Sequence, residues 1–372
     1  MSKKNENKVR EPLFHIAKRN SMVWWKAWLV RGAAILASLV VCALIIVLLT
    51  KQNPLEVYAS MFKGSFGTKR KVWILLQNMA ILLCISLAVT PAFKMRFWNL
   101  GAEGQVLIGG LASAACMILF GSKLKNPALI ALMVVVSIAA SALWALIPAF
   151  FKARWNTNET LFTLMMNYVA MQLVAFFEVF WENPKDSAHI GIINFLSRKG
   201  WLPTLFGRDY IFNIIVVAVV TVLMFVYLRY SKHGYEISVV GESENTAKYI
   251  GINVKKVILR TAALSGAICG IAGLLLVAGA NHTITPNTAG GRGFTAVMVS
   301  WLAKFNPLVM VITSLLLVFL QKGAGQLATK IPVLNLNLSD VLTGVILFFI
   351  IGCEFFINYK LNFRKRKSRE VA

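Results

Sequence analysis

Residues 96–110 read RFWNLGAEGQVLIGG. A carboxylate, Glu103, and an amide, Gln105, stand among glycines, with long apolar runs before and after. A charged side chain at the bilayer centre costs about 2.5–3.5 kcal/mol on insertion scales. The stretch therefore lies away from the centre or faces something other than lipid. A helix start near the inner interface meets the first condition, because Glu103 then sits in a first turn, where the helix dipole favours an anion. Gly101, Gly104, Gly109 and Gly110 bear on the second, since small residues let another backbone approach closely between membrane helices.

The flanking sequence says which solvent is at issue. The chain has 372 residues, of which 58% are hydrophobic and 15% charged, and its mean hydropathy is +0.67. A soluble domain is about one-quarter charged. The apolar residues gather in runs approaching the roughly 20 residues a bilayer span requires, without the dyad alternation of a membrane barrel. The expected fold is an all-α polytopic membrane protein with about ten transmembrane segments, some broken or re-entrant. The runs fall near 32–50, 72–93, 99–121, 127–151, 160–181, 210–229, 257–280, 293–303, 307–321 and 338–358. The eighth is too short to span alone.

The net charge of +24 resides in the tails and short loops, where the positive-inside rule places it, so the basic character points to the lipid bilayer and not to nucleic acid. This divides the chain into a basic cytoplasmic tail (1–31), a transmembrane domain (32–358) and a second basic cytoplasmic tail (359–372). With both tails inside, the number of crossings is even. Lys94, Arg96, Lys152, Arg154, Lys304 and the loop 230–256 then fall inside, and the polar loop 182–209 outside. Lys69, Arg70 and Lys71 fall outside against the rule, behind NPLEVYASMFKGSF, which reads as a short outer surface helix.

No GxxxxGK[ST] phosphate loop is present, and the four histidines have no metal-ligand spacing. No catalytic or metal residue is expected. The five cysteines are scattered through apolar segments and read as inert thiols. The informative residues are the polar ones inside apolar runs. Gln77, Asn78, Glu103, Gln105, Thr163, Asn167 and Thr295 are candidates for a substrate pathway, with helix–helix hydrogen bonding as the competing role. Thr163 and Asn167 lie four apart, on one helical face; Asn156 and Glu159 before them fit a capping pair. Asp340, which opens the tenth run, reads as an N-terminal helix anion. The third run opens with NLGAEGQ from the inner side and the eighth with GGRGFT from the outer side. Glycine-interrupted segments at corresponding places in two opposed halves point to inverted repeats around a transport pathway. Within 230–256, Glu242 to Ile250 forms a candidate two-turn helix with Gly251 as its stop.

Four stretches together resemble a known family. FWNLGAEGQVLIGGLASA, NETLFTLMMNYVA (158–170), GYEISVVGESENTAKYIGINVKKVILRTAALSGAICGIAGLLLVAG (234–279) and GRGFTAVMVSWLAKFNPL resemble, in order and spacing, the ABC importer permeases for branched-chain amino acids, simple sugars and nucleosides. The MMNY and AEGQ segments resemble the nucleoside-type branch. The resemblance implies a permease subunit that imports nucleosides across the bacterial cell membrane, with ribose-like sugars as the alternative substrate; a stand-alone secondary carrier is the rival mechanism. It implies an ABC ATPase partner that holds ATP and Mg, with no cofactor on this chain. It further implies a second permease subunit, as a heterodimer, and an extracytoplasmic substrate-binding lipoprotein. It assigns Glu242, Ser243, Asn245, Ala247, Tyr249 and Gly251 to a loop that couples transport to the ATPase; within that loop Ala247 and Tyr249 are the expected contacts, because a small residue lets a helix sit deep and an aromatic anchors it. Ser300, Trp301 and Lys304 depart from the family pattern.

Overall fold

The computed structural model describes residues 14–18, 22–51, 53–330 and 336–363. Each apolar run becomes a helix. Among the described residues, seven helices are long and apolar enough to cross a membrane: α1 (Trp24–Thr50), α3 (Lys69–Lys94), α4 (Ala102–Phe120), α5 (Asn126–Trp155), α6 (Glu159–Phe180), α7 (Tyr210–Tyr230) and α10 (Val254–Leu276, continued by a π turn at Val277–Asn281). The expected surface helix is α2 (Pro54–Phe66). Three runs give shorter apolar stretches: α11 (Arg292–Leu302) has 11 residues, and α12 (Pro307–Lys330) and α13 (Leu336–Asn358) are apolar over Pro307–Gly323 and Gly344–Ile357. The side chain of Asp340 lies outside the described residues.

The loop 230–256 holds two helices where one was expected: α8 (Lys232–Glu242) and α9 (Glu244–Tyr249). Ser231 starts α8 by accepting a hydrogen bond from the Gly234 amide, and Ile237 and Val240, three residues apart, give it a buried face. Ser243 ends α8 in extended conformation and caps α9 through its hydroxyl, which breaks the expected continuous helix at its second residue. The cap of α6 is also displaced. Asn158, not Asn156, accepts from the amides of Thr160 and Leu161, while Asn156 closes α5 in the left-handed conformation. Glu159 pairs instead with Lys152 at 2.9 Å.

The all-α expectation requires one correction. β1 (Phe14–Lys18) pairs antiparallel with β2 (Tyr359–Phe363), Ile16 opposite Leu361. Phe14 and Ile16, and Tyr359, Leu361 and Phe363, sit at alternate positions. That is the period of a strand, hidden within tails otherwise dominated by basic residues.

The chain divides into two compact units, one from residues up to Gly64 together with those from Gly323, the other Ser65–Lys322. In the first, α1 packs along α13; the Cys42 thiol points to the Leu342 carbonyl at 3.7 Å, and Cys353 and Ile357 pack on Val30 and Ala34.

In the second, α3, α4 and α10 form the centre, sheathed by α5, α6, α7 and α11. Small residues make this possible. A Cβ on Gly270 would lie 2.5 Å from the Ser137 carbonyl oxygen, and one on Gly109 would lie 2.7 Å from the Gly270 Cα. The Ser137 hydroxyl reaches both the Gly109 and Gly270 carbonyls, at 2.9 and 2.7 Å. Three helices thus meet backbone to backbone, the packing that replaces a hydrophobic driving force in lipid.

This unit has two distinct ends. At one, the loop 182–209 lies over the ends of α4, α5 and α10. Asn194 donates to the Met117 carbonyl, the Gly200 amide to Asn126, and the Leu202 amide to the Ala278 carbonyl. Trp201 stacks on His282 with ring centroids 3.7 Å apart. At the other end, α8 and α9 pack against the end of α3 and the start of α10: Ala247, Ile237 and Val240 share a core with Ala92, Ala149 and Val257, and Arg260 of α10 pairs with Glu236 of α8 at 2.8 Å.

Candidate functional site

The stretch around Glu103 lies inside the bundle, away from its ends. Asn99 donates to the Ser265 hydroxyl at 3.1 Å, and Ser265 lies eleven residues beyond the first residue of α10, about 16 Å along its axis at 1.5 Å per residue. The helix α4 therefore begins near the middle of the bundle, led in by the irregular segment 95–101. A helix start does not mark an end of the bundle here: the chain enters the bundle as irregular backbone that other protein covers.

The opposed segment does the same from the other end. After the π turn the chain runs irregularly through 282–291 before α11 starts. The two N-termini meet. Glu103, 2% exposed, accepts hydrogen bonds from the amides of Gly291 (2.7 Å) and Gly293 (2.6 Å). One carboxylate thus sits in the first turn of α4 and caps α11, between the positive ends of two helix dipoles. Gly293 is required here, because a Cβ at that position would collide with the Glu103 backbone.

The other amides and hydroxyls complete the junction. Asn167 accepts from the Gly104 amide at 2.8 Å and donates to the Leu100 carbonyl at 2.8 Å. Thr163 accepts from the Leu100 amide and donates to the Glu159 carbonyl. Gln105 and Asn99 bond each other through both amide groups, and Asn99 also accepts from the Gly101 amide. Thr295 donates to the Gly291 carbonyl at the head of α11. Helix starts leave four orphan N–H groups each, and these side chains supply the acceptors that water would otherwise provide. Gln77 serves another break in helical bonding, donating to the Gly279 carbonyl within the π turn. Asn78 is half-buried; its amide nitrogen donates to Ile74 and its oxygen accepts from Arg292 at 3.0 Å.

Of the seven polar residues the sequence singles out, the structure gathers Glu103, Gln105, Thr163, Asn167 and Thr295 at this junction; sequence reasoning passed over Asn99 and Arg292. Asn99 gave a signal, an amide two residues before Gly101, the spacing of an Asx turn. Arg292 gave a stronger one, a cation at the first position of an apolar segment. Its guanidinium also donates to the carbonyls of Thr288 and Ala289. Asn78, Arg292 and Thr295 form the half-buried edge of the junction; Glu103, Gln105, Thr163 and Asn167 are its buried frame.

The loop 242–251 is placed differently. Glu242, Asn245 and Tyr249 are exposed, Tyr249 by 92%, and Ser243 is half-buried. Gly251 turns the chain at φ 84°. Ala247 is fully buried in the chain's own core, so the contact expected of it goes inward to Val257 and Ala149 and not to a partner. The small residue lets α9 seat tightly on the bundle, and Tyr249 is left as the outward aromatic.

Two broken helices meeting N-terminus to N-terminus inside an apolar bundle, with a short docked helix at one end, define a multi-pass membrane permease. Residues 72–351 match the family described as branched-chain amino acid transport system, permease component, and the chain belongs to that family as an ABC transporter permease subunit. It is 27% identical to the glucose ABC transporter permease protein TsgB13 of Haloferax volcanii, over 90% of each chain. It is 26% identical to the nucleoside ABC transporter permease protein NupB of Lactococcus lactis, over 82% of this chain and 86% of that one. It is 27% identical to the guanosine ABC transporter permease protein NupP of Bacillus subtilis, over 84% and 89%.

Proposed function

We propose that this chain is the permease subunit of a nucleoside importer in a bacterial cell membrane. ATP, with Mg, is hydrolysed by a partner ATPase; a second, different permease completes the pathway, and an extracytoplasmic lipoprotein delivers the substrate. The observation that carries the reading is the junction of α4 and α11 around Glu103. Broken helices opposed at mid-depth mark the pathway in many transporters; here Glu103 itself takes the amides at the head of α11 and so holds the frame of that pathway. The substrate meets the half-buried edge formed by Asn78, Arg292 and Thr295, where a guanidinium suits the carbonyls of a base and the hydroxyls of a ribose. The relatives NupB and NupP support nucleosides over sugars; TsgB13 supports a sugar as the second reading.

In this reading both tails and α8–α9 are cytoplasmic. The pairing of β1 with β2 supports it, because two paired strands lie on one side and the crossings between them are then even in number. Seven is odd, and α12, α13 and the lead-in 282–291 continued by α11 supply the remaining three of ten. The exposed face of α9 docks in the ATPase, and Ala247 carries its movement to the start of α10 and to the buried face of α8. The deciding experiment reconstitutes permeases, ATPase and lipoprotein in vesicles and measures ligand-stimulated ATP hydrolysis across nucleosides and sugars. Stimulation by guanosine, adenosine or uridine at micromolar concentration is expected; stimulation by ribose or glucose alone overturns the substrate, and ion-driven uptake without ATP overturns the mechanism.

A further inference from the structure

Beside α8 lie two cavities of about 390 and 360 Å³ that share Lys94, Ser238 and Phe305 and so form one cleft. One arm runs between the end of α7 and the start of α12, the other between the ends of α3 and α11. Three cations line the cleft, Lys94, Arg96 and Arg229, against one carboxylate, Glu242. Lys94 is half-buried and has no ion-pair partner among the described residues. Arg229 lies over the rings of Phe225 and Tyr230, at 5.7 and 5.8 Å, which fixes its guanidinium beside the same arm.

Beside this basic end, α7 exposes Val222 and Val226, and α12 exposes Leu308 and Ile312. Exposed apolar helix faces next to a cleft lined by one half-buried cation, Lys94, and two exposed ones suit an acidic phospholipid. A free anion would leave the apolar faces uncovered, and a neutral lipid would leave Lys94 unpaired.

We propose that this cleft binds the phosphate of an anionic phospholipid, with Lys94 and Arg229 on the headgroup and the acyl chains on the exposed faces of α7 and α12. Only the assignment to the cytoplasmic leaflet, where such lipids are enriched, rests on the orientation proposed above. Ser238, at the seam, and Tyr235, in the first arm, belong to α8, so the bound lipid braces the helix that carries α9.

The test needs no transport. The full chain, purified and stripped of lipid in detergent, is titrated with phosphatidylglycerol, phosphatidylethanolamine or sn-glycerol 3-phosphate, and binding is read by native mass spectrometry and by the melting temperature. Phosphatidylglycerol is expected to bind and stabilise, the other two not. Lys94→Gln and Arg229→Gln each weaken that binding about fivefold, the effect of roughly one kcal/mol per basic residue near a charged membrane surface. Lys94→Arg retains the binding, and Lys185→Gln, in the outer loop, leaves it unchanged. Equal protection of wild type and both charge-removing variants overturns the site. Equal protection by glycerol phosphate overturns the lipid as its source. Loss of the bound lipid on co-purification with a second permease shows a protein interface there and overturns the proposal.

Discussion

The junction around Glu103 and the cleft around Lys94 treat charge in opposite ways. At the junction the carboxylate is surrounded by amides of its own chain, and each neighbouring polar side chain has a partner among nearby backbone groups or side chains. At the cleft three cations face one carboxylate, and half-exposed aromatics, Trp98 and Trp301 stacked at 5.5 Å, form part of the wall. The first arrangement fixes irregular backbone inside a bilayer; the second leaves room for something to bind. Polarity within an apolar sequence is therefore no guide to ligand contact until its hydrogen bonds are accounted for.

That contrast breaks most directly at Glu103. Glu103→Ala removes two charge-assisted hydrogen bonds and leaves two buried amides unpaired, a loss of about 3–6 kcal/mol at 1.5–3 kcal/mol per bond. The detergent-solubilised chain is expected to melt or aggregate early in a thermal scan, while Glu103→Gln, which keeps one acceptor, is partly rescued. A Glu103→Ala chain with unchanged melting temperature would mean that the junction does not hold the two helices. A smaller effect is expected for Asn167→Leu, which orphans the Gly104 amide and the Leu100 carbonyl at about 1–3 kcal/mol each. Stability should fall with no change in the order of preference among ligands; altered preference in a normally stable protein would return Asn167 to the substrate pathway.

Smaller again is Tyr249→Ala. An exposed aromatic anchor at an interface is worth about 1–2 kcal/mol or more, so the variant should fold normally and hold the ATPase at least about fivefold more weakly in a pull-down titration. Unchanged ATPase affinity would move the docking surface elsewhere. Ala247→Arg should behave differently, destabilising the chain itself, since it buries a charge in a packed core.

The least effect is expected at the opposite end. Burial depresses the His282 imidazole below its usual range; Asp209 opposes this and Arg198 reinforces it. Its Nδ1 is buried without a hydrogen-bond partner. A histidine held neutral in the folded state contributes stability that is present above the ordinary histidine range and lost as pH falls through the folded value. The loop 182–209 should therefore loosen in mildly acidic buffer, seen as faster amide exchange at Leu202 and Ile193 near pH 5 than near pH 7 after correction for intrinsic rates. His282→Phe keeps the stack on Trp201 and should remove the difference.

What could be foreseen from the sequence follows the length scale of each interaction. Helices were legible because a run of twenty apolar residues has one stable state in lipid. Thr163 and Asn167 were legible as neighbours because helical spacing is local. Their partners were not, because Asn167 meets Gly104 sixty-three positions away and Glu103 meets Gly293 across 190; no local pattern encodes such a distance. Ala247 was misassigned as a partner contact for the same reason. A small residue on a polar helix fits an outward face as well as an inward one until Val257 and Ala149 are seen beneath it.

The ribbon of β1 and β2 has a consequence for the order of events in making the protein. Lys18 pairs with Tyr359, some 340 residues later in synthesis. At roughly 5–20 residues per second, a typical rate of translation, the first strand waits about 20–70 s for its partner. During that time α1 has no α13 beside it and must remain in the bilayer unaided. Its composition suits that interval: its spanning window has a mean hydropathy of 2.5, and even in the finished fold only 17% of it is covered by protein.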